Sequence, residues 1–335
     1  MKKNSTRGLF FIVLITSTLI VVSSSNWLSI WMGLEINLMS FIPLMFMKKN
    51  SQSSQACMLY FLIQSMSSVI MLMTILINSI LVINNVMNEF MFMILSSSIL
   101  MKLGAAPFHQ WFPEILSKMN WSSAFLLLTW QKIAPMIVLS YLIENLDWIT
   151  IVIMSSTIIG AIGGLNQTSL RKIMAYSSIS HMGWMMACMK FENELWMMYL
   201  IIYSAITLML TTLFYNYSAF YMNQLQVNMN LAMKKWLMTT LFLSLGGLPP
   251  FIGFFPKWIV IQSLINKNLY FMLMIMILSA LITLYYYIRI MSANFLLFYS
   301  INKWNILLMN KNYYQEMIMM MINLSLPMML IIKFM

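Results

Sequence analysis

Cysteine occurs only twice in 335 residues, as Cys57 and Cys188 in separate apolar stretches. That leaves no ligand set for an iron–sulfur cluster and no disulfide framework. Histidine is as scarce: His109 and His181 are too few for paired axial ligation of two membrane haems. The cluster Gly160-Ala161-Ile162-Gly163-Gly164 ends a helix with no strand before it, so it fails as a dinucleotide fingerprint. It reads instead as close helix packing followed by a turn. No P-loop and no nucleophile elbow is present. The chain is therefore expected to bind no metal and no redox cofactor of its own. Charge is also sparse, at 8% of residues against 61% hydrophobic, and long polar stretches that would build extramembrane domains are missing.

What is present is apolar sequence, with a mean hydropathy of +0.82. Runs of about 20 apolar residues, the length that crosses a bilayer as a helix, recur through the whole chain. Dividing it at polar clusters gives eleven expected spans: 8–25, 27–47, 56–83, 90–116, 121–143, 147–165, 170–189, 195–220, 236–265, 269–297 and 315–335. The fold class expected is an all-α polytopic membrane protein forming one membrane domain over 1–335. Short alternating strands of a membrane β-barrel are not found. Loop charges provide an independent check. One side collects Lys2, Lys3, Arg7, Lys48, Lys49, Lys118, Arg171, Lys172, Lys234, Lys235, Lys303 and Lys311. The other holds Glu89, Glu144, Asp147, Glu192 and Glu194 with few lysines. The positive-inside rule places the N-terminus on the cytoplasm-like side and the C-terminus opposite. The +11 net charge is read as topology rather than as affinity for nucleic acid. Arg289, near the end of the tenth span, is expected to snorkel to the basic interface.

Forty methionines stand where Ile or Leu would serve equally in lipid. A genetic code that reads an isoleucine codon as Met explains this and points to an animal mitochondrion; the plainer alternative is that Met suits lipid-facing packing. The chain is expected to open directly on a helix, with no cleavable signal and no Arg/Ser-rich transit peptide, which suits synthesis inside the organelle.

Two segments share the pattern G-x-x-P-F-x4-P: Gly104 to Pro113 and Gly247 to Pro256. They are 143 residues, or five expected spans, apart. An odd number of crossings makes the two copies face opposite ways, the mark of an inverted repeat over roughly 8–143 and 147–297. Proline removes a backbone donor and clashes with the preceding turn, so each segment is expected to break near mid-membrane. Breaks there are tolerated only against protein or a water-filled cavity, and transporters build ion sites at such matched breaks.

Four ionisable residues sit far from any turn: Glu35, Lys102, Lys132 and Lys257. A charge at the bilayer centre costs about 2.5–3.5 kcal/mol on insertion scales, so such residues are candidates for ion or proton handling. Burial disfavours an ammonium and a nearby carboxylate favours it. A lysine whose acidic partner approaches and withdraws can thus take up and release a proton. Glu35 is the expected partner of Lys102, and a water-filled chain from Glu35 through Lys102 and Lys132 to Lys257 is expected in the membrane plane. His181 is a candidate bridge between the halves. The structural alternative is that these groups only hold helices together.

At these residues the sequence resembles the chain 2 family of mitochondrial NADH:ubiquinone oxidoreductase, antiporter-like membrane subunits of respiratory complex I. The stretches that carry the resemblance are Trp31 to Asn37, Lys102 to His109, Trp130 to Pro135, Gly163 to Thr168, Ser180 to Trp184, and Gly246 through Trp258. The resemblance implies a proton-translocating subunit with inverted five-helix repeats and a matrix-side N-terminus. Animal members lack the first three helices of the bacterial type, which leaves eleven. It assigns Glu35 and Lys102 as the Glu–Lys pair, Lys132 as central relay and Lys257 as terminal lysine. NADH, FMN, iron–sulfur clusters and ubiquinone would be handled by partner subunits, and the neighbours would be other complex I subunits, antiporter-like ones especially, and lipid. The competing readings are a stand-alone cation/proton antiporter and a scaffold subunit with structural lysines.

Overall fold

In a computed structural model of the chain, residues 2–46, 50–80, 85–143, 147–192, 194–228, 232–296 and 313–325 are described. Among them the only β-type pairing is an isolated bridge between Ser169 and Tyr221. The rest of the regular structure is helical: α1 (Lys2–Ser23), α2 (Trp27–Met45), α3 (Ser51–Ile80), α4 (Asn85–Leu103), α5 (Trp111–Lys118), α6 (Trp121–Leu128), α7 (Trp130–Ser140), α8 (Ile149–Gly164), α9 (Leu170–Phe191), α10 (Leu195–Asn216), α11 (Met222–Asn228), α12 (Ala232–Gly246), α13 (Phe254–Asn266), α14 (Tyr270–Leu296) and α15 (Tyr313–Asn323).

Among the described residues six helical stretches are long and apolar enough to cross a membrane: Ser5–Ser23, Trp27–Met45, Ser51–Ser79, Trp121–Ser140, Leu195–Asn216 and Tyr270–Ser292. Two expected spans, 90–116 and 236–265, are each divided into two helices, α4/α5 and α12/α13. The expected span 315–335 is met by α15 up to Asn323; residues 326–335 lie outside the described residues, as do loop residues Lys48, Lys49, Glu144, Lys303, Lys311 and Lys333. The structure departs from expectation in two places. The span 121–143 is interrupted at Thr129 (φ −121°, ψ −70°) between α6 and α7. Past 221, the helix α11 fills part of a stretch expected as loop.

Serines and threonines are abundant in these helices without breaking them, because their hydroxyls fold back onto the carbonyl one turn earlier. Ser17 donates to Leu14, Ser67 to Gln64, Ser98 to Leu95, Ser177 to Met174 and Ser244 to Leu241. A polar group satisfied by its own helix adds little cost in an apolar surround. Large apolar side chains face outward on α3 (Met58, Met66, Met73) and α14 (Phe271, Met274, Leu278), as lipid-facing helices require.

The chain divides into two compact units, Met1–Val152 and Ile153–Met335. In the first, α1 and α2 lie so close at Gly33 that a methyl there would sit 2.6 Å from Val21 Cγ2; α3 packs on α2, α4 and α5. In the second, α9 is buried along nearly its whole length and packs on α10 and α13. Its crossing with α8 uses the glycine cluster as the sequence suggests. A Cβ at Gly160 would meet Ser180 N at 2.5 Å, and one at Gly183 would meet Thr157 Cγ2 at 2.5 Å. Arg289 is part-buried, and its Nη1 donates to the Leu165 carbonyl and its Nη2 to the Gln167 carbonyl at 2.8 Å, in the loop that leads into Arg171 and Lys172. Both carbonyls lie past the end of α8, where no helical donor follows, and a planar fork satisfies the two at once.

Candidate functional site: two capped helix breaks and their lysines

Both breaks are built the same way. Gly104 has φ +69° and Gly247 φ +79°, a left-handed conformation that costs an L-residue with a Cβ about 1–2 kcal/mol. Gly104 N–H donates to Met101 and Ala105 N–H to Leu100. In the other unit Gly247 N–H donates to Ser244 and Leu248 N–H to Leu243. This pair of bonds is the Schellman closure of a helix C-terminus. It uses the two carbonyls furthest back and leaves the last two, of Lys102 and Leu103 in one unit and of Leu245 and Gly246 in the other, without helical donors.

The units solve this differently. In the second, Lys257 Nζ, reaching back from α13, donates to Gly246 O at 2.9 Å and Leu245 O at 3.3 Å. A cation at a helix C-terminus is favoured by the dipole as well as by the hydrogen bonds. In the first, Gln64 of α3 donates from Nε2 to Lys102 O at 3.1 Å. The Lys102 side chain is thereby not consumed in capping and extends into the unit, 8% exposed.

Lys132 is 2% exposed. It occupies the first turn of α7, its N–H bonded to Thr129 O at 3.2 Å. Its ammonium lies 5.7 Å from the centroid of the Phe112 ring, as Lys257 lies 5.8 Å from that of Trp184, within cation–π range. Lys102 and Lys132 both line one narrow cavity of about 20 Å³, together with Asn37, Tyr60, Gln64 and Gln131 among others. Glu35, on α2, is half-buried and close enough to Lys102 for their charges to interact, though not as a direct contact and not on the cavity wall.

In the second unit His181 is 6% exposed on α9. Its Nδ1 lies 2.8 Å from Tyr199 Oη, and its ring packs 5.0 Å from Tyr203. Trp184, against Lys257, is one turn along the same helix face. The five expected residues therefore form two sets, Glu35, Lys102 and Lys132 in one unit and His181 and Lys257 in the other. Sequence reading passed over Gln64, Gln131, Asn37 and Tyr199, which hold or surround them. The signal available was their position: each amide or phenol lies within an apolar helix where polarity has a cost. Among the described residues no group of acids, histidines and cysteines is arranged to hold a metal.

Residues 24–283 match the family described as NADH:quinone oxidoreductase/Mrp antiporter, TM. The chain is 47% identical over 309 residues to NADH-ubiquinone oxidoreductase chain 2 of Anopheles gambiae, covering 91% of this chain and 90% of that one. To the same chain of Locusta migratoria it is 43% identical over 314 residues, with the same coverage. Among solved structures it is similar in fold to a chain of respiratory complex I from Thermus thermophilus with bound aureothin. There the TM-score is 0.79 at 19% identity, over 87% of this chain and 70% of that one. A buried lysine at each of two matched, capped helix breaks and these relatives lead to one assignment: the chain belongs to the NADH:quinone oxidoreductase/Mrp antiporter membrane family, among its chain 2 members.

Proposed function

We propose that the chain is a core membrane subunit of a proton-pumping NADH:ubiquinone oxidoreductase of the mitochondrial inner membrane. It translocates protons while electron transfer from NADH to ubiquinone proceeds in partner subunits, which hold the FMN and iron–sulfur clusters. The observation that carries this reading is the burial of Lys102 and Lys257 at two helix breaks of one design. Ammonium groups at such depth are expensive unless they work, and the broken helices create the polar surroundings in which a lysine can change its proton occupancy. Glu35 modulates Lys102 by its charge, Lys132 receives protons from Lys102, and Lys257 serves the second unit with His181.

The topology that goes with this function is eleven crossings, as two inverted five-helix repeats and a C-terminal helix, with the N-terminus in the matrix and the C-terminus in the intermembrane space. The 143-residue offset of the breaks and the one-sided loop lysines support it. Its neighbours in the assembly are other antiporter-like membrane subunits.

The test is the proton yield per NADH in assembled complexes carrying Lys132→Ala or Lys257→Ala. Yield should fall while assembly, followed on a native gel stained for NADH oxidation, persists. A normal yield in a fully assembled mutant overturns the reading.

A further inference from the structure

Three features converge on the cavity between Lys102 and Lys132. First, its volume of about 20 Å³ exceeds the roughly 10–15 Å³ that one water centre needs. Second, two of its wall residues carry fully buried, unpartnered polar atoms: Asn37 Oδ1, an acceptor on a residue 3% exposed, and Gln131 Nε2, a donor. Tyr60 Oη donates to Gln131 Oε1 at 3.4 Å, which fixes the amide with its nitrogen as the remaining polar end. Third, Pro135 follows Gln131 by four residues and has no N–H to offer the Gln131 carbonyl. A buried donor and acceptor left unmade each cost about 1–3 kcal/mol, and a water with two to four partners is the ordinary remedy.

We propose that Asn37 and Gln131 hold a single water between Lys102 and Lys132, and that this water is the carrier of the proton from one amine to the other. The inference rests on the proton-translocating reading above. Gln131 Nε2 donates to the water oxygen and Asn37 Oδ1 accepts one water hydrogen. The other hydrogen and the second lone pair are left for the two lysines. A proton leaves the Lys102 ammonium for the water oxygen as the water passes its own hydrogen to the neutral Lys132 amine. Lys102 becomes neutral, Lys132 cationic, and the water, after turning, is unchanged. Asn37 and Gln131 never bind the transferred proton; they are positioning residues.

The test has a structural and a functional arm, both on the whole assembled complex. A cryo-electron microscopy map that resolves ordered water should show one density within hydrogen-bond distance of both Asn37 Oδ1 and Gln131 Nε2. In Asn37→Leu, which fills the space with an apolar side chain of similar size, that density should vanish and the proton yield per NADH should drop. Gln131→Met should do the same should Asn37→Leu fail to assemble. A dry cavity in the unmutated complex, or an assembled Asn37→Leu complex with full yield, overturns the proposal. Normal pumping by Lys132→Ala sinks the underlying reading as well; impaired Lys132→Ala with unimpaired Asn37→Leu removes the water alone.

Discussion

Lys257 Nζ donates to Gly246 O at 2.9 Å, and the residue that makes room for this contact is the next one along, Gly247. A Cβ there would stand 2.7 Å from Lys257 Cδ and 3.1 Å from its Nζ, on a backbone already in left-handed geometry. Gly247→Ala should therefore both cost about 1–2 kcal/mol in backbone strain and push the lysine off the helix end. Its expected result is a fall in proton yield resembling that of Lys257→Ala, in complexes of lowered thermal stability. Thermal inactivation and proton yield per NADH, measured together, check it.

Tyr199→Phe removes the hydroxyl that meets His181 Nδ1 and leaves the rings in place. Losing a hydrogen bond between two buried groups costs about 0.5–1.5 kcal/mol, and the ring is held in place less firmly. Tyr199→Phe should lower the proton yield as His181→Ala does, with no further loss in the double mutant. Additive losses would assign the two residues separate roles.

Gln64→Leu takes the donor from Lys102 O at the first break. The buried carbonyl is left unmade at about 1–3 kcal/mol, and the expected response is that the Lys102 ammonium turns back to the helix end, as Lys257 does in the other unit. The expectation is an assembled, less heat-resistant complex with impaired pumping; a Gln64→Glu substitution, which cannot donate from a carboxylate, should not rescue it.

For Arg289 the expected effect is on stability alone. Charged hydrogen bonds contribute about 1.5–3 kcal/mol each, and Arg289→Lys keeps the charge but replaces the fork with a single point donor. Thermal inactivation should shift downward for Arg289→Lys and further for Arg289→Met, while surviving complexes pump at the normal yield.

Much of this is legible in the sequence. Proline and glycine at fixed spacing announce the breaks at Gly104 and Gly247, because the left-handed φ observed there costs a residue with a Cβ about 1–2 kcal/mol. The lysines announce themselves by the cost of their burial. The break at Thr129 was not legible: threonine is no helix breaker, and the nearest proline, Pro135, lies six residues on. Gln64 and Gln131 were missed for a related reason. Most polar side chains in these helices serve their own backbone, and nothing in the sequence separates Ser67, bonded within its turn, from Gln64, which reaches across to another helix. Arg289 reads from sequence as an interfacial cation because the carbonyls it grips belong to a loop some 120 residues away in the chain, at 122 for Gln167.

At the second break the two half-helices touch main chain to main chain: a Cβ on Gly253 would fall 1.8 Å from Ser244 O. There is no clearance in that direction for sliding. Shear between packed helices needs side chains that can ride over one another, whereas hinge motion concentrates in a few backbone torsions. Any rearrangement of α12 against α13 during turnover therefore turns about the Gly253–Ser244 contact like a door on its pin, and Lys257, moored to Gly246 two residues from that pin, stays with the hinge while the far end of α12 swings.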